Sequence, residues 1–207
     1  NQFIPLVEEH GRACDLTLYV FDRAVADASR WRALGLDLAV AVNVSATLLL
    51  DNAFVGLLRE RLLAVSLPAD RITIEVTESA AMKEPDRAIA ALESWRALGL
   101  NISIDDYGTG QSSLGYLQKL PATELKIDMS FIRTLAADPR NAIMVRSTIP
   151  LAHELGMKVV AEGVEDGECL GLLAEMACDT AQGWHIGKPM SAADLEDFVA
   201  GRMRSAA

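Results

Sequence analysis

Ile102-Ser103-Ile104-Asp105 is a short β-branched run that closes on a carboxylate and leads straight into Asp106-Tyr107-Gly108-Thr109-Gly110. The same design recurs at Leu38–Asn43 (LAVAVN), Ile72–Glu75 (ITIE), Leu125–Asp128 (LKID), Val159–Glu162 (VVAE) and Thr180–Gln182 (TAQ). Each run ends in an oxygen-bearing side chain, and successive ends lie 32, 30, 23, 34 and 20 residues apart. Those steps are the size of a βα unit. Between the runs, apolar residues recur at three-to-four spacing and predict helices. The stripes are Val20, Ala24, Ala28 and Trp31; Phe54, Leu57, Leu58 and Leu62; Ile89, Leu92 and Trp95; Ile143, Ile149, Ala152 and Leu155; and Leu195, Phe198 and Val199. Asp51 and Ser191 are expected N-caps, and Gly99 and Gly156 expected helix stops.

Alternating strands and helices imply a parallel sheet with right-handed crossovers, hence an α/β fold. An open doubly wound sheet and a closed (β/α)₈ barrel both accommodate the pattern. The barrel is favoured because every run ends in a polar group. In a barrel all strand C-termini converge on one mouth, whereas an open sheet gathers ligands mainly at a switch point. Six strands leave two staves of such a barrel to be found.

The 207 residues carry 19 Lys and Arg against 29 Asp and Glu, a net charge of −10. Such an acidic surface argues against binding duplex nucleic acid or anionic membrane, both of which need basic patches. A small phosphorylated ligand remains compatible if cations bridge the repulsion. No Pro/Ser-rich linker divides the chain, so it reads as one domain. Cys14, Cys169 and Cys178 have no zinc-type spacing, and an odd count suits a reducing cytosol. No apolar run reaches the roughly 18 residues of a membrane span. The opening Phe3-Ile4-Pro5-Leu6-Val7 reads as the middle of a domain, so sequence upstream of Asn1 is expected.

Asn43, Glu75, Asp105, Asp106, Asp128 and Glu162 would put five carboxylates and one amide around a single mouth. Crowded negative charge is costly without cations, and an all-oxygen ligand set selects hard ions such as Mg²⁺ or Mn²⁺. Two such ions would hold a phosphodiester and activate water. Lys126, two residues before Asp128, is expected on the same strand face, either serving a phosphate or water or pairing with Asp128. Asp105 and Asp106 reach one site only if the chain turns at Asp106, and Gly108 and Gly110 permit that turn. His10, His153 and His185 lack ligand spacing and read as structural or surface residues. Asn43-Val44-Ser45 fits a glycosylation pattern by coincidence at a buried strand end. Trp31, Trp95 and Trp184 read as packing residues, the last of them near the mouth, and Cys169 and Cys178 as helix or core residues.

At these motifs the sequence resembles the EAL domain, the bacterial cyclic di-GMP phosphodiesterase family. The matching stretches are FIPLVEE (Phe3–Glu9), NVSA (Asn43–Ala46), EVTES (Glu75–Ser79), DDYGTGQSSLGYL (Asp105–Leu117), Leu120–Pro121, LKIDMSF (Leu125–Phe131), VVAEGVE (Val159–Glu165) and QGWHIGKPM (Gln182–Met190). The resemblance implies a TIM-like barrel with one antiparallel strand, a two-metal centre of Mg²⁺ or Mn²⁺, and hydrolysis of cyclic di-GMP to linear pGpG. It implies Asn43, Glu75, Asp105 and Asp106 as metal ligands, and Glu162 as a glutamate of the metal centre considered as a base. It implies Lys126 at the nucleophilic water with Asp128 beside it, Glu78 as anchor of the loop after the paired aspartates, and Glu165 and Gln182 as further polar site residues.

Two departures stand out. The Glu-Ala-Leu motif, whose glutamate is a metal ligand in the family, is absent from the chain together with two strands, and both are expected upstream. Residues 1–207 would then be an N-terminally incomplete EAL-type domain, inactive alone. Gln111 and Gly115 also replace a more usual Tyr and Ser. The resemblance further implies a cytoplasmic domain, free or part of a membrane-bound protein, attached sensory or GGDEF domains, and a possible homodimer. The competing reading is a receptor that binds cyclic di-GMP without cleaving it.

Overall fold

Six strands appear where the β-branched runs lie in the computed structural model, which describes residues 3–110 and 114–206. They are β1 (Val40–Asn43), β2 (Ile72–Thr77), β3 (Asn101–Tyr107), β4 (Glu124–Ile127), β5 (Lys158–Glu162) and β6 (Thr180–Gln182). They pair in sequence order, β1-β2-β3-β4-β5-β6, and every pairing is parallel. The sheet curls into a half-barrel. Among the described residues no further strand pairs with β1 or β6, and the antiparallel strand implied by the family is not among them.

Eleven α-helices are found among the described residues. Before β1 lie α1 (Ile4–Glu9) and α2 (Ala13–Ala33), followed by α3 (Ala46–Leu49) and α4 (Asn52–Leu63) between β1 and β2. Then come α5 (Glu78–Lys83), α6 (Pro85–Ala97), α7 (Leu114–Leu117), α8 (Met129–Ile132), α9 (Pro139–Glu154), α10 (Gly167–Glu175) and α11 (Ala192–Ala206). The Asp51 carboxylate caps α4 at Ala53 N (2.8 Å), and the Ser191 hydroxyl accepts from Asp194 N (3.2 Å) at the start of α11. Gly99 and Gly156 follow α6 and α9 with φ of 87° and 78°, the left-handed geometry that ends a helix at glycine.

Period-two alternation splits the sheet into two faces. Ile72, Ile74, Val76, Ile102, Ile104, Leu125, Ile127, Val159 and Ala161 join the core shared with the helices. That core includes an edge-on Phe54–Trp95 pair with centroids 6.1 Å apart. The intervening residues Glu75, Ser103, Asp105, Lys126, Val160 and Glu162 take the opposite, concave face. Two helical stripes are shifted from expectation. Val20 (41 % exposed) and Ile143 (66 %) face outward, and α2 buries Leu18, Phe21, Val25, Ala28 and Trp31 instead.

Two strand ends also differ from expectation. β4 stops at Ile127, because Asp128 leaves the ladder to cap α8, its carboxylate accepting from Ser130 N at 2.9 Å. Asn43, expected at a buried strand end, is exposed on β1, an edge strand among the described residues.

Candidate active site

The C-terminal ends of the strands bring most of the expected residues together. The Lys126 ammonium lies 2.7 Å from Glu162, 3.0 Å from Glu75 and 3.1 Å from Asp105, so one cation sits amid three carboxylates from β2, β3 and β5. Asn43 donates its amide to the other Glu75 oxygen at 2.9 Å. Asp105 accepts the Asp106 backbone N–H at 3.0 Å. Lys126 makes its ion pairs with these three groups rather than with Asp128, which is turned into its capping role. Asp128 remains close enough for its charge to act on Asp106.

A backbone irregularity turns both aspartates inward. Ile104 pairs with Leu125, but the next pair is Tyr107 with Ile127, so β3 spends one more residue than β4 over that interval. Such a bulge twists the strand and re-aims a side chain. Asp106 absorbs it with φ of 57°, a left-handed conformation uncommon outside glycine but more accessible to Asp and Asn. Oxygen atoms of Asp105, Asp106 and Glu162 consequently lie within 4.8 Å of one another.

The electrostatics reflect a shortage of positive charge. Burial pushes the Glu75 and Glu162 carboxyls above the usual range, and neighbouring carboxylates add to the shift against the opposing pull of Lys126. Burial, then the charges of Asp105 and Asp128, raise Asp106 as well. Burial alone would lower Lys126, but Glu75, Glu162 and Asp105 together overcome it and hold the ammonium above the ordinary lysine range. Lys126 is therefore the positive charge of the cluster. The four carboxylates Glu75, Asp105, Asp106 and Glu162 remain undercompensated by this one ammonium. The all-oxygen donor set and spacing of Asp105, Asp106 and Glu162 fit a hard divalent cation.

Glu78 is buried at the first turn of α5 and accepts the Gly108 N–H at 2.9 Å. A Cβ on Gly110 would lie 2.7 Å from its Oε1, so the backbone after the paired aspartates packs directly on this carboxylate. Gln111, Ser112 and Ser113 of the same loop lie outside the described residues. Glu165 stands on the loop after β5, paired with Arg133 at 2.8 Å. Gln182 ends β6 in register with Glu162. Both Glu165 and Gln182 line a cavity of about 590 Å³ that also takes in Glu162, Arg133, Met129 and Trp184.

Arg133 escaped the sequence reading because its partner lies on another βα unit and no spacing links the two. Trp184 was expected to pack; it is 62 % exposed, because the turn after Gln182 carries it outward. Among the histidines, His153 pairs with Asp179 at 2.7 Å and His10 contacts the Leu6 carbonyl.

Comparison with known proteins places this geometry among relatives. The chain is 42 % identical over 201 residues to the bifunctional diguanylate cyclase/cyclic di-GMP phosphodiesterase MucR of Pseudomonas aeruginosa, covering 97 % of this chain and 29 % of that protein. It is 40 % identical over 200 residues to the cyclic di-GMP phosphodiesterase NbdA of the same organism, covering 96 % and 26 %. The chain thus spans between a quarter and a third of the length of these curated relatives. Among solved structures, the PaMucR phosphodiesterase in complex with c-di-GMP superposes with a TM-score of 0.89 at 42 % identity, covering 94 % of this chain and 79 % of that one. The EAL domain of Mycobacterium smegmatis DcpA gives 0.85 at 34 % identity, covering 91 % and 85 %. The EAL domain family matches residues 1–189. A match along nearly the whole chain joins with the inward-turned aspartates and the caged lysine: this chain belongs to the EAL domain family.

Proposed function

We propose that this domain hydrolyses one phosphodiester bond of cyclic di-GMP to give linear pGpG, with Mg²⁺ or Mn²⁺ as cofactor. The observation that carries this reading is the ammonium of Lys126 held among Glu75, Asp105 and Glu162 beside the inward-turned Asp106. The phosphodiesterase names of MucR and NbdA support the substrate. Asn43, Glu75, Asp105, Asp106 and Glu162 would hold two divalent ions, which when bound supply Lewis acidity toward the phosphodiester.

The chain's own groups divide the remaining work. Lys126 donates hydrogen bonds to the incoming water and offsets charge growing on the phosphoryl oxygens. Glu162, 2.7 Å from the Lys126 ammonium, accepts the water proton. Asp128, fixed by its cap, adds negative charge beside Asp106 and helps keep the local cation demand high. Water adds to phosphorus, one P–O3′ bond breaks, and the departing O3′ takes up a proton, leaving a 5′-phosphate and a 3′-hydroxyl. Gln182 and Glu165 line the cavity that receives the rest of the ligand.

Residues 1–207 are read as one EAL-type domain, with two further strands and the Glu-Ala-Leu segment supplied by upstream sequence. The sheet edges at β1 and β6 and the greater length of the matched relatives support that arrangement. Attached sensory or GGDEF domains, a homodimer and a cytoplasmic location belong to the same proposal. No helix among the described residues is long and apolar enough to cross a membrane.

Chromatography of cyclic di-GMP incubated with the protein extended upstream tests the reading. It expects pGpG as product, loss of turnover in EDTA, and restoration by Mg²⁺ or Mn²⁺. Undiminished cleavage in EDTA overturns the metal assignment. Tight binding without cleavage replaces the enzyme by the receptor.

A further inference from the structure

α11 is fastened to the rest of the protein at two separate places. Leu195, Phe198 and Arg202 recur at three- and four-residue spacing and share one stripe of the helix, with Glu196 on its flank. Leu195 and Phe198 line the cavity of about 590 Å³ together with Glu162 and Gln182, whereas Arg202 and Glu196 are not among its lining residues. The family match ends at residue 189, so α11 lies beyond it.

The first fastening is to the cavity wall. Arg202 donates to the Ile186 carbonyl at 2.9 Å, and its guanidinium lies 4.5 Å from the Phe198 ring centroid. Phe198 in turn seats against the turn that follows β6: a Cβ on Gly187 would lie 3.5 Å from its ring. Within that turn Ile186 N and Gly187 N both donate to the Gly183 carbonyl, at 3.0 and 3.1 Å. The second fastening is to α2. Glu196 accepts from the Trp31 indole N–H at 3.1 Å and pairs with Arg30 at 2.8 Å. Trp31 is 7 % exposed, so its N–H depends on a protein acceptor, whereas Arg30 also has Asp27 at 3.5 Å. α2 is itself held in the core by Leu18, Phe21, Val25 and Ala28, which makes it a fixed reference.

A cavity wall tied through one helix to a fixed element keeps its binding shape before the ligand arrives. Untying it leaves that ordering to be met on binding, which weakens affinity without touching the bond that breaks. We propose that α11 braces the wall of the ligand cavity against α2, with Arg202 and Glu196 as positioning residues at the two ends of the brace. This rests on the cyclic di-GMP reading above and adds to it a determinant of affinity that does not touch the ligand. The carboxylate cluster stands on β2, β3 and β5 and is held independently of the brace.

The experiment uses the protein extended upstream and has two arms. In the first, without ligand, hydrogen exchange is followed at the Ile186 and Gly187 amides by NMR. Arg202→Met keeps an apolar stem over Phe198 and removes the donor, while Glu196→Ala breaks the distant end. Each should speed exchange at both amides by roughly 2- to 10-fold, the worth of one net hydrogen bond, and leave the amides of β3 and β4 unmoved. Glu196→Gln, which still offers Trp31 an acceptor, should restore most of the protection. In the second arm, both variants should raise the KM for cyclic di-GMP in Mg²⁺ over the same range, with kcat changed less than about twofold. The Kd, measured with Ca²⁺ in place of Mg²⁺ to suppress turnover, should weaken in parallel. The double variant should fall short of the product of the two single effects, because either break frees the same wall. Asp197→Asn, on the exposed side of α11, should change neither readout.

Unchanged exchange at residues 186 and 187 in Glu196→Ala overturns the brace, and so does faster exchange with unshifted KM and Kd; both leave the hydrolase standing. Exchange that rises at every strand amide marks general destabilisation and overturns the positioning role. An equal fall in kcat and kcat/KM overturns it too, since α11 would then act on the reacting centre. Faster exchange with a weakened Kd, in a protein whose wild type binds cyclic di-GMP without cleaving it, keeps the brace and overturns the hydrolase.

Discussion

The two faces of the half-barrel obey different rules, and β3 shows both within four residues. Ile102 and Ile104 are fully buried among the helices, where any well-packed apolar volume serves. Ser103 and Asp105 take the concave face, where Asp105 lies 3.1 Å from a buried ammonium and the next residue adopts a left-handed backbone. The convex face gains stability from area removed from water. The concave face gathers carboxylates whose desolvation works against folding and is offset only in part by Lys126. One sheet therefore separates what holds the chain together from what the chain is for.

Substitutions on the two faces should come apart in the same way. Asp105→Asn should cost the most, roughly a thousandfold in single-turnover rate, with the melting temperature nearly unmoved; near-normal turnover would take Asp105 out of the centre. Leu92→Ala, deep in the convex core on α6, should do the reverse. Denaturant unfolding should show a loss of about 2–5 kcal/mol, while kcat per folded molecule stays close to wild type. A large kcat defect in that variant would mean that the two faces are mechanically coupled. Glu78→Ala sits between them, because this carboxylate is buried yet holds the Gly108 N–H beside the site. A drift of about 1 Å in Asp106 would cost on the order of a hundredfold in rate. Weaker metal affinity and partial rescue at raised Mn²⁺ are the expected signature, and outright unfolding would show Glu78 to be a core residue instead.

The smallest effect belongs to the far end of the strands. Burial raises the Asp179 carboxyl, but the hydrogen bonds from His153 and the Val159 N–H outweigh it and hold its pKa below the usual value. A depressed carboxylate contributes stability above its unfolded pKa and loses it as pH falls through the folded one. Asp179→Asn should therefore differ from wild type by less than about 1 kcal/mol near neutrality. The difference should shrink below roughly pH 4, as followed by thermal melts. A difference that persists unchanged in acid would place the effect in packing rather than charge.

Much of this was legible in the sequence because strand ends and helix stops are local. The runs around Glu75, Asp105 and Glu162 became strands with their carboxylates at one end, and Asp51, Ser191, Gly99 and Gly156 punctuate the helices as their chemistry suggests. What escaped depends on partners distant in sequence or on competition between similar patterns. Val20 and Phe21 head two stripes one residue apart, and the larger ring took the buried one. Asp128 could prolong a strand or cap a helix, and the nearby Ser130 N–H decided for the cap. The bulge at Asp106 arises from pairing with β4, which no reading of β3 alone contains. Arg133 finds Glu165 only once β4 and β5 lie side by side.

The order of the strands has a consequence for how the chain assembles. Each strand pairs with its neighbour in sequence, so the sheet can grow as a ribbon with each closure spanning one βα unit. An exception among the described residues is the contact between the outer helices of the two edges, where Glu196 of α11 accepts from Trp31 and pairs with Arg30 of α2. That contact joins residues 165 positions apart. Relative to one βα step, closing so long a loop costs only about 1.5 kcal/mol more, yet it must wait until the intervening strands are in place. Folding of this chain should therefore run by local steps and finish at the α2–α11 seam, which makes that seam the natural place for the native state to open first.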